Sequence, residues 1–181
     1  MQKYIAILRG INVSGQKLIK MAELKIHLEE LEFKNVSSYI QSGNILFESK
    51  NQNQKVLATE IENKIREKYG WDVPVIVKNS DELKTISERN PFLINRNEDF
   101  KKLYVIFLDD EPEMELIENF KKTDYLPDEF VLSEKTIYAF YTNSYGTTKF
   151  TNNYFEKKLK TKATTRNWNT VLKLLELSTI T

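Results

Sequence analysis

With 181 residues, of which 40% are hydrophobic and 29% charged, the chain has the balance of a globular protein and room for one medium domain or two small ones. The absence of cysteine excludes disulfides, thiolate metal sites and thiol nucleophiles, and one histidine, His27, argues against a multi-histidine zinc site. A formal net charge of +1 gives no global field toward nucleic acid or membrane.

In chain order, "KYIAILR" (Lys3 to Arg9) is an unbroken apolar run that suits a strand covered on both faces. "MAELKIHLEELEF" follows with Met21, Leu24, Leu28 and Leu31 at helical spacing. "VSSYIQ" and "NILFES", joined by Ser42-Gly43, read as a hairpin. "VLATEIENKIREKYG" is a helix with Leu57, Ile61 and Ile65 as its stripe and Gly70 as its end. "VPVIVK" (Val73 to Lys78) is a strand. A helix capped by Ser80 or Asp81 comes next and stops at Asn90-Pro91.

The second half repeats this order. "KLYVIFL" (Lys102 to Leu108) is a buried strand, and "PEMELIENFKK" is a helix opened by Pro112 and a run of acids. "EFVLS" and "TIYAFYT" form a hairpin around Glu134-Lys135. "TNNYFEKKL" is a helix capped by Thr151, "KATTR" a short strand, and "NWNTVLKLLEL" the terminal helix. Asn167 is placed to cap that helix, and Trp168, Val171, Leu172 and Leu175 form its apolar stripe.

This order predicts an α+β fold of two ferredoxin-like halves, each βαββαβ plus an extra helix with an antiparallel sheet. The expected halves are residues 1–92 and 101–181, packed together through a connector at 93–100. In such a sheet the end of the first strand neighbours the turn joining the second and third, and the third and fourth strands end on the opposite edge. Two polar clusters follow from that map.

The first cluster joins "RGINVSGQK" to "QSGN", with Arg9, Gly10, Asn12, Lys17, Gln41, Ser42, Gly43 and Asn44 as candidate ligand residues. Gly10 and Gly15 permit positive φ and close backbone approach, and Arg9 and Lys17 can neutralise an anion. A P-loop is rejected, because Gln16 intervenes before the lysine and Leu18 follows it. The plain alternative is that Gly10 makes a turn and Ser42-Gly43 closes a hairpin.

The second cluster joins "NSYGTTK" to "TTRN", with Tyr145, Lys149, Thr165, Arg166, Asn167 and Asn169 as candidates. Cations beside helix starts suit a phosphate or carboxylate. Capping accounts for Asn167 and helical periodicity for Trp168, but neither accounts for Thr164, Thr165 and Arg166 together. Charge is also uneven along the chain. From Lys149 to Lys173 the charged residues are basic except for Glu156, and from Asp109 to Glu118 the charged residues are all acidic. Acids favouring a helix N-terminus account for the latter without a metal. Tyr138 and Phe140 share a strand face that, if exposed, would stack bases.

Three segments in register, "AILRGINVSG" (Ala6 to Gly15), "YIQSGN" (Tyr39 to Asn44) and "ATTRNWNT" (Ala163 to Thr170), resemble bacterial proteins grouped as domain of unknown function 1697. "YGTTKFTN" resembles a family segment with Thr148 in place of serine, and Ser14 replaces the usual glycine. The resemblance implies a two-lobed fold of ferredoxin-like halves and no assigned activity, cofactor or catalytic residue. The resulting expectation is a cytoplasmic protein, with no membrane span, that binds an anionic, phosphate-bearing small ligand in a cleft between the halves. Single-stranded nucleic acid through the basic segment and the aromatic strand face is the alternative, and a protein-interaction module without ligand chemistry the third.

Overall fold

Gln2–Leu8 forms β1, Lys34–Tyr39 β2, Asn44–Ser49 β3 and Val75–Asn79 β4 in the computed structural model, which describes residues 1–143 and 145–179. These strands make one antiparallel sheet in the order β2-β3-β1-β4. Met21–Glu29 (α1) and Gln54–Tyr69 (α2) bury Met21, Leu24, Leu28, Leu57, Ile61 and Ile65 against Tyr4, Ala6, Leu8, Ile45 and Phe47. Ile5 and Ile7, which alternate with that set, are also fully buried, so β1 is covered on both faces as its apolar run requires. Gly70 ends α2 at φ 72 and donates its N–H to the Arg66 carbonyl, the left-handed cap its position predicts.

Leu103–Leu108 (β5), Glu129–Ser133 (β6), Thr136–Phe140 (β7) and Ala163–Asn167 (β8) form a second antiparallel sheet, ordered β6-β7-β5-β8. Met114–Lys121 (α5) and Asn152–Leu159 (α6) cover one face of it through Phe120, Phe155 and Leu159, packed on Ile106, Leu108, Ile137 and Ala139. Aromatic rings dominate this core. Tyr125, Phe130 and Phe150 meet edge to face with centroids 4.9 to 5.4 Å apart.

Ser80–Glu88 (α3), Pro91–Ile94 (α4) and Trp168–Thr179 (α7) complete the chain. Contacts divide it into two units, residues 1–84 with the last turns of α7 from Leu174, and residues 85–173. The division falls inside α3 and α7, and residues 93–100 lie within the second unit.

Several local expectations change. The cap of α3 is Asn79, not Ser80 or Asp81: its Oδ1 accepts the Glu82 N–H, and the Glu82 carboxylate accepts the Asn79 N–H, both at 2.9 Å. Asn90-Pro91 ends one helix and also starts α4, since Asn90 caps it by accepting the Phe92 N–H. Thr151 takes the N-cap position of α6, but its side chain makes no capping bond. In α7 the fully buried side chains are Trp168, Val171 and Leu174, whereas Leu172 and Leu175 are half-buried. No helix among the described residues is long and apolar enough to cross a membrane.

Candidate functional site

The register of β1 on β3 pairs Ile7 with Asn44, and the Leu8 N–H donates to the Gly43 carbonyl at 2.8 Å. The loop after β1 therefore lies beside the β2–β3 turn, as the strand order predicts. Its backbone turns repeatedly through the left-handed region, with positive φ at Gly10, Asn12, Ser14, Gly15 and Lys17. A Cβ added at Gly10 or Gly15 would meet nothing within 4 Å, so those glycines serve conformation and not close approach. Close approach occurs at Gly43 instead, where a Cβ would lie 2.7 Å from Leu8 Cβ and 2.8 Å from Ile11 Cδ1.

Asn12 holds the loop in place. Its Nδ2 donates to the carbonyls of Ile19 (2.9 Å) and Gln41 (2.8 Å), and its Oδ1 accepts the Ile19 N–H at 2.8 Å. Asn44 is fully buried and donates to the Tyr39 carbonyl and to Ser42 Oγ. The Lys17 ammonium donates to the Asp72 carbonyl. Arg9 and Ser42 are half-buried, and Gln41 is exposed.

In the second unit, β5 pairs Tyr104 with Asn167 and Val105 with Arg166. Tyr145 stacks on Tyr104 with centroids 5.2 Å apart and planes inclined by 21°. Neither Tyr104 nor Asn152 was among the sequence candidates. The signal for Tyr104 lies only in the β5–β8 register, and Asn152 is marked by Thr165, whose hydroxyl donates to its Oδ1 at 2.6 Å.

Asn167 caps α7, accepting the Thr170 N–H at 2.8 Å, while Asn169 in the first turn is exposed. Arg166 is half-buried and donates from Nη1 to the Thr165 carbonyl at 2.9 Å. Burial lowers its pKa to about 10, opposed by the neighbouring Tyr145 phenol, and it stays cationic at neutral pH. Among the described residues, Thr164 Oγ1 and Trp168 Nε1 are buried without a hydrogen-bond partner. Lys149 is placed against the ring of its sequence neighbour. Its ammonium lies over the Phe150 ring, 5.1 Å from the centroid, and it lines a cavity of about 230 Å³ with Asp128, Thr148 and Phe150. Ser144, inside the expected loop, lies outside the described residues.

The aromatic strand face is not open to bases. Tyr138 is buried and its hydroxyl donates to the Ile86 carbonyl at 3.2 Å, while Phe140 packs on Phe92 beneath the Arg96 guanidinium. His27 is half-buried on α1, with Nδ1 3.2 Å from the Glu30 carboxylate. Among the described residues no group of three acidic or histidine side chains is arranged to hold a metal ion.

No curated protein matches the chain. The solved structure of a conserved bacterial protein from Streptococcus pneumoniae is similar over 98% of both chains, with a TM-score of 0.75 at 22% identity, a likeness of fold. Residues 1–138 match the family described as "Protein of unknown function (DUF1697)", a span that includes the Arg9 and Gln41 segments and ends before Tyr145 and Arg166. On that match, the chain belongs to the DUF1697 family.

Proposed function

We propose that the end of the second sheet around Arg166 binds an anionic, phosphate-bearing small molecule. The observation that carries this reading is the half-buried Arg166 guanidinium at the end of the strand, whose cation burial disfavours and the neighbouring Tyr145 favours. A guanidinium offers a paired donor geometry that matches phosphate oxygens. The exposed Asn169 amide in the first turn of α7 adds donors at the positive end of a helix. A small molecule is favoured over single-stranded nucleic acid because Tyr138 and Phe140 offer no open stacking surface. Arg9, Lys17, Gln41 and Ser42, which belong to the first unit, are addressed by the same screen through Arg9→Ala.

The test is a thermal-shift screen with inorganic phosphate, pyrophosphate, a sugar phosphate, a mononucleotide and a short oligothymidylate. A binder near one-hundredfold excess over its Kd stabilises by about 2.7 kcal/mol, a rise of several degrees for a chain of this size. The rise is expected for a phosphate-bearing compound and is expected to vanish in Arg166→Ala. A shift of equal size in that variant would sink the assignment.

A further inference from the structure

The first sheet buries Tyr4, Ala6, Val36, Ile45 and Phe47 in the core it shares with α1 and α2, so the residues alternating with them belong to its other face. On that face Lys3 stands opposite Glu48, and Ser37 opposite Leu46. A cavity of about 410 Å³ opens there, and Asn35 from β2 with Leu177 and Ser178 from α7 complete its wall. All of these residues belong to the first unit. The volume falls within the range of small-molecule sites, about 300 to 1,000 Å³.

Three polar side chains of this wall are uncommitted. Among the described residues, the Asn35 amide, the Ser37 hydroxyl and the half-buried Glu48 carboxylate make no hydrogen bond or ion pair. Ser178, by contrast, is buried and donates its hydroxyl to the Leu175 carbonyl. The pairing of β2 is also irregular here. Its register on β3 slips between Lys34 and Ser37, and Asn35 within the slip takes a positive φ of 51°. A bulge re-aims side chains, and this one lies in the stretch that brings Asn35 and Ser37 to the cavity.

The charges around Glu48 narrow the class of ligand. Lys3 on β1 and Lys34 on β2 both stand opposite it in register. Lys3 lines the cavity and has an interaction of its own, whereas Lys34 is not part of the wall. A carboxylate with a lysine on either side does not select a cation, and an engaged lysine beside a carboxylate does not select an anion. Hydrogen bonding is what the wall offers: a carboxylate that accepts, an amide and a hydroxyl that do both, and two leucines beside them. We infer that this cavity binds a neutral polyhydroxylated molecule the size of a mono- or disaccharide. Its hydroxyls donate to Glu48 and bond with Asn35 and Ser37, while Leu46 and Leu177 meet the C–H face of its ring. The site shares no residue with the Arg166 end and does not depend on that reading.

The experiment titrates the isotope-labelled full-length chain with glucose, maltose and inositol and follows backbone amide shifts by NMR. Propylamine, acetate and inorganic phosphate serve as charged counterparts. Saturable shifts at Ser37, Leu46, Glu48 and Leu177 are expected with at least one of the three polyols. Glu48→Ala, which removes the charged acceptor, is expected to weaken that binding roughly tenfold. Glu48→Gln keeps an acceptor and is expected to weaken it less. Ser37→Leu places a larger side chain at an exposed position of the wall, and is expected to abolish saturation with the melting temperature unchanged. No saturable shift with any of the polyols, or binding unchanged in Glu48→Ala and Ser37→Leu, would overturn the proposal. So would a charged counterpart that saturates the same amides more tightly than every polyol.

Discussion

At the end of the first sheet, Asn12 and Asn44 direct their amides onto the carbonyls of Ile19, Gln41 and Tyr39, and Gly43 fits where no side chain can. At the end of the second sheet, Asn167 and Thr165 are committed in the same way, but Thr164 Oγ1 and Trp168 Nε1 are buried with no partner among the described residues, and Arg166 carries a charge that burial opposes. Both ends are loops rich in glycine, amides and hydroxyls that sit beside a strand end. Their difference shows that such composition does not by itself say which polar groups the fold occupies. What separates them among the described residues is the balance of partners: Asn12 and Asn44 are bonded to backbone carbonyls, whereas Thr164 Oγ1 and Trp168 Nε1 are buried with none.

The comparison predicts unequal responses to substitution. The largest is expected at Gly43→Ala. A positive φ of 82° combined with a 2.7 Å contact to Leu8 Cβ should lower the unfolding free energy by about 3 kcal/mol, read from the denaturant midpoint. A Gly43→Ala protein of normal stability would mean that the first loop is not closely packed on the turn.

Next is Asn12→Ala, which deletes bonds to two carbonyls and one N–H and should cost about 2 kcal/mol in the same assay. Faster amide exchange at Ile19 should accompany it. No loss on either measure would show that these bonds do not hold the loop.

The opposite sign is expected at the second end. Thr164→Val replaces an unpartnered buried hydroxyl with a methyl of similar shape and should stabilise by about 1 kcal/mol. A destabilised Thr164→Val protein would show that the hydroxyl has a partner after all, and the contrast between the two ends would narrow.

The smallest effect belongs to Glu30, which lies in neither cluster and serves as a reference. Hydrogen bonds from His27, Lys64 and Lys68 hold its pKa down from 4.5 to about 2. A carboxylate depressed in the folded state stabilises it above the unfolded pKa, and that stabilisation is lost as pH falls from about 4.5 toward 2. Acid titration of Glu30→Gln should therefore show a flatter stability loss over that window. An identical acid limb would remove Glu30 as a link between α1 and α2.

Much of the fold was legible because hydrophobic period and turn residues are local. The apolar runs of β1 and β5, the two hairpins, the Gly70 cap and the Asn167 cap all lie where short-range reading put them. Misreadings fall where a distant element intervenes. The Asn79–Glu82 capping box was hidden because Asn79 also ends a strand, and Leu174 is the buried residue in place of Leu175 because packing rotates the buried stripe of α7. At the candidate site, topology alone made neighbours of Arg9 to Lys17 and Gln41 to Asn44. It did not foretell that Lys149 turns to Phe150 or that Tyr145 stacks on Tyr104.

The amino-acid sequence by itself determined the order of elements and, through it, which loops meet at each sheet end. Pairing rules need only strand order and direction. Tertiary structure alone decided which polar residues in those loops are committed. The Asn12–Gln41 bond joins residues 29 apart, and the Tyr104–Asn167 pairing rests on the register of β5 against β8. A shift of one residue there would send each side chain to the other face, so hydrogen-bond satisfaction is a property of the assembled sheet and not of the motif.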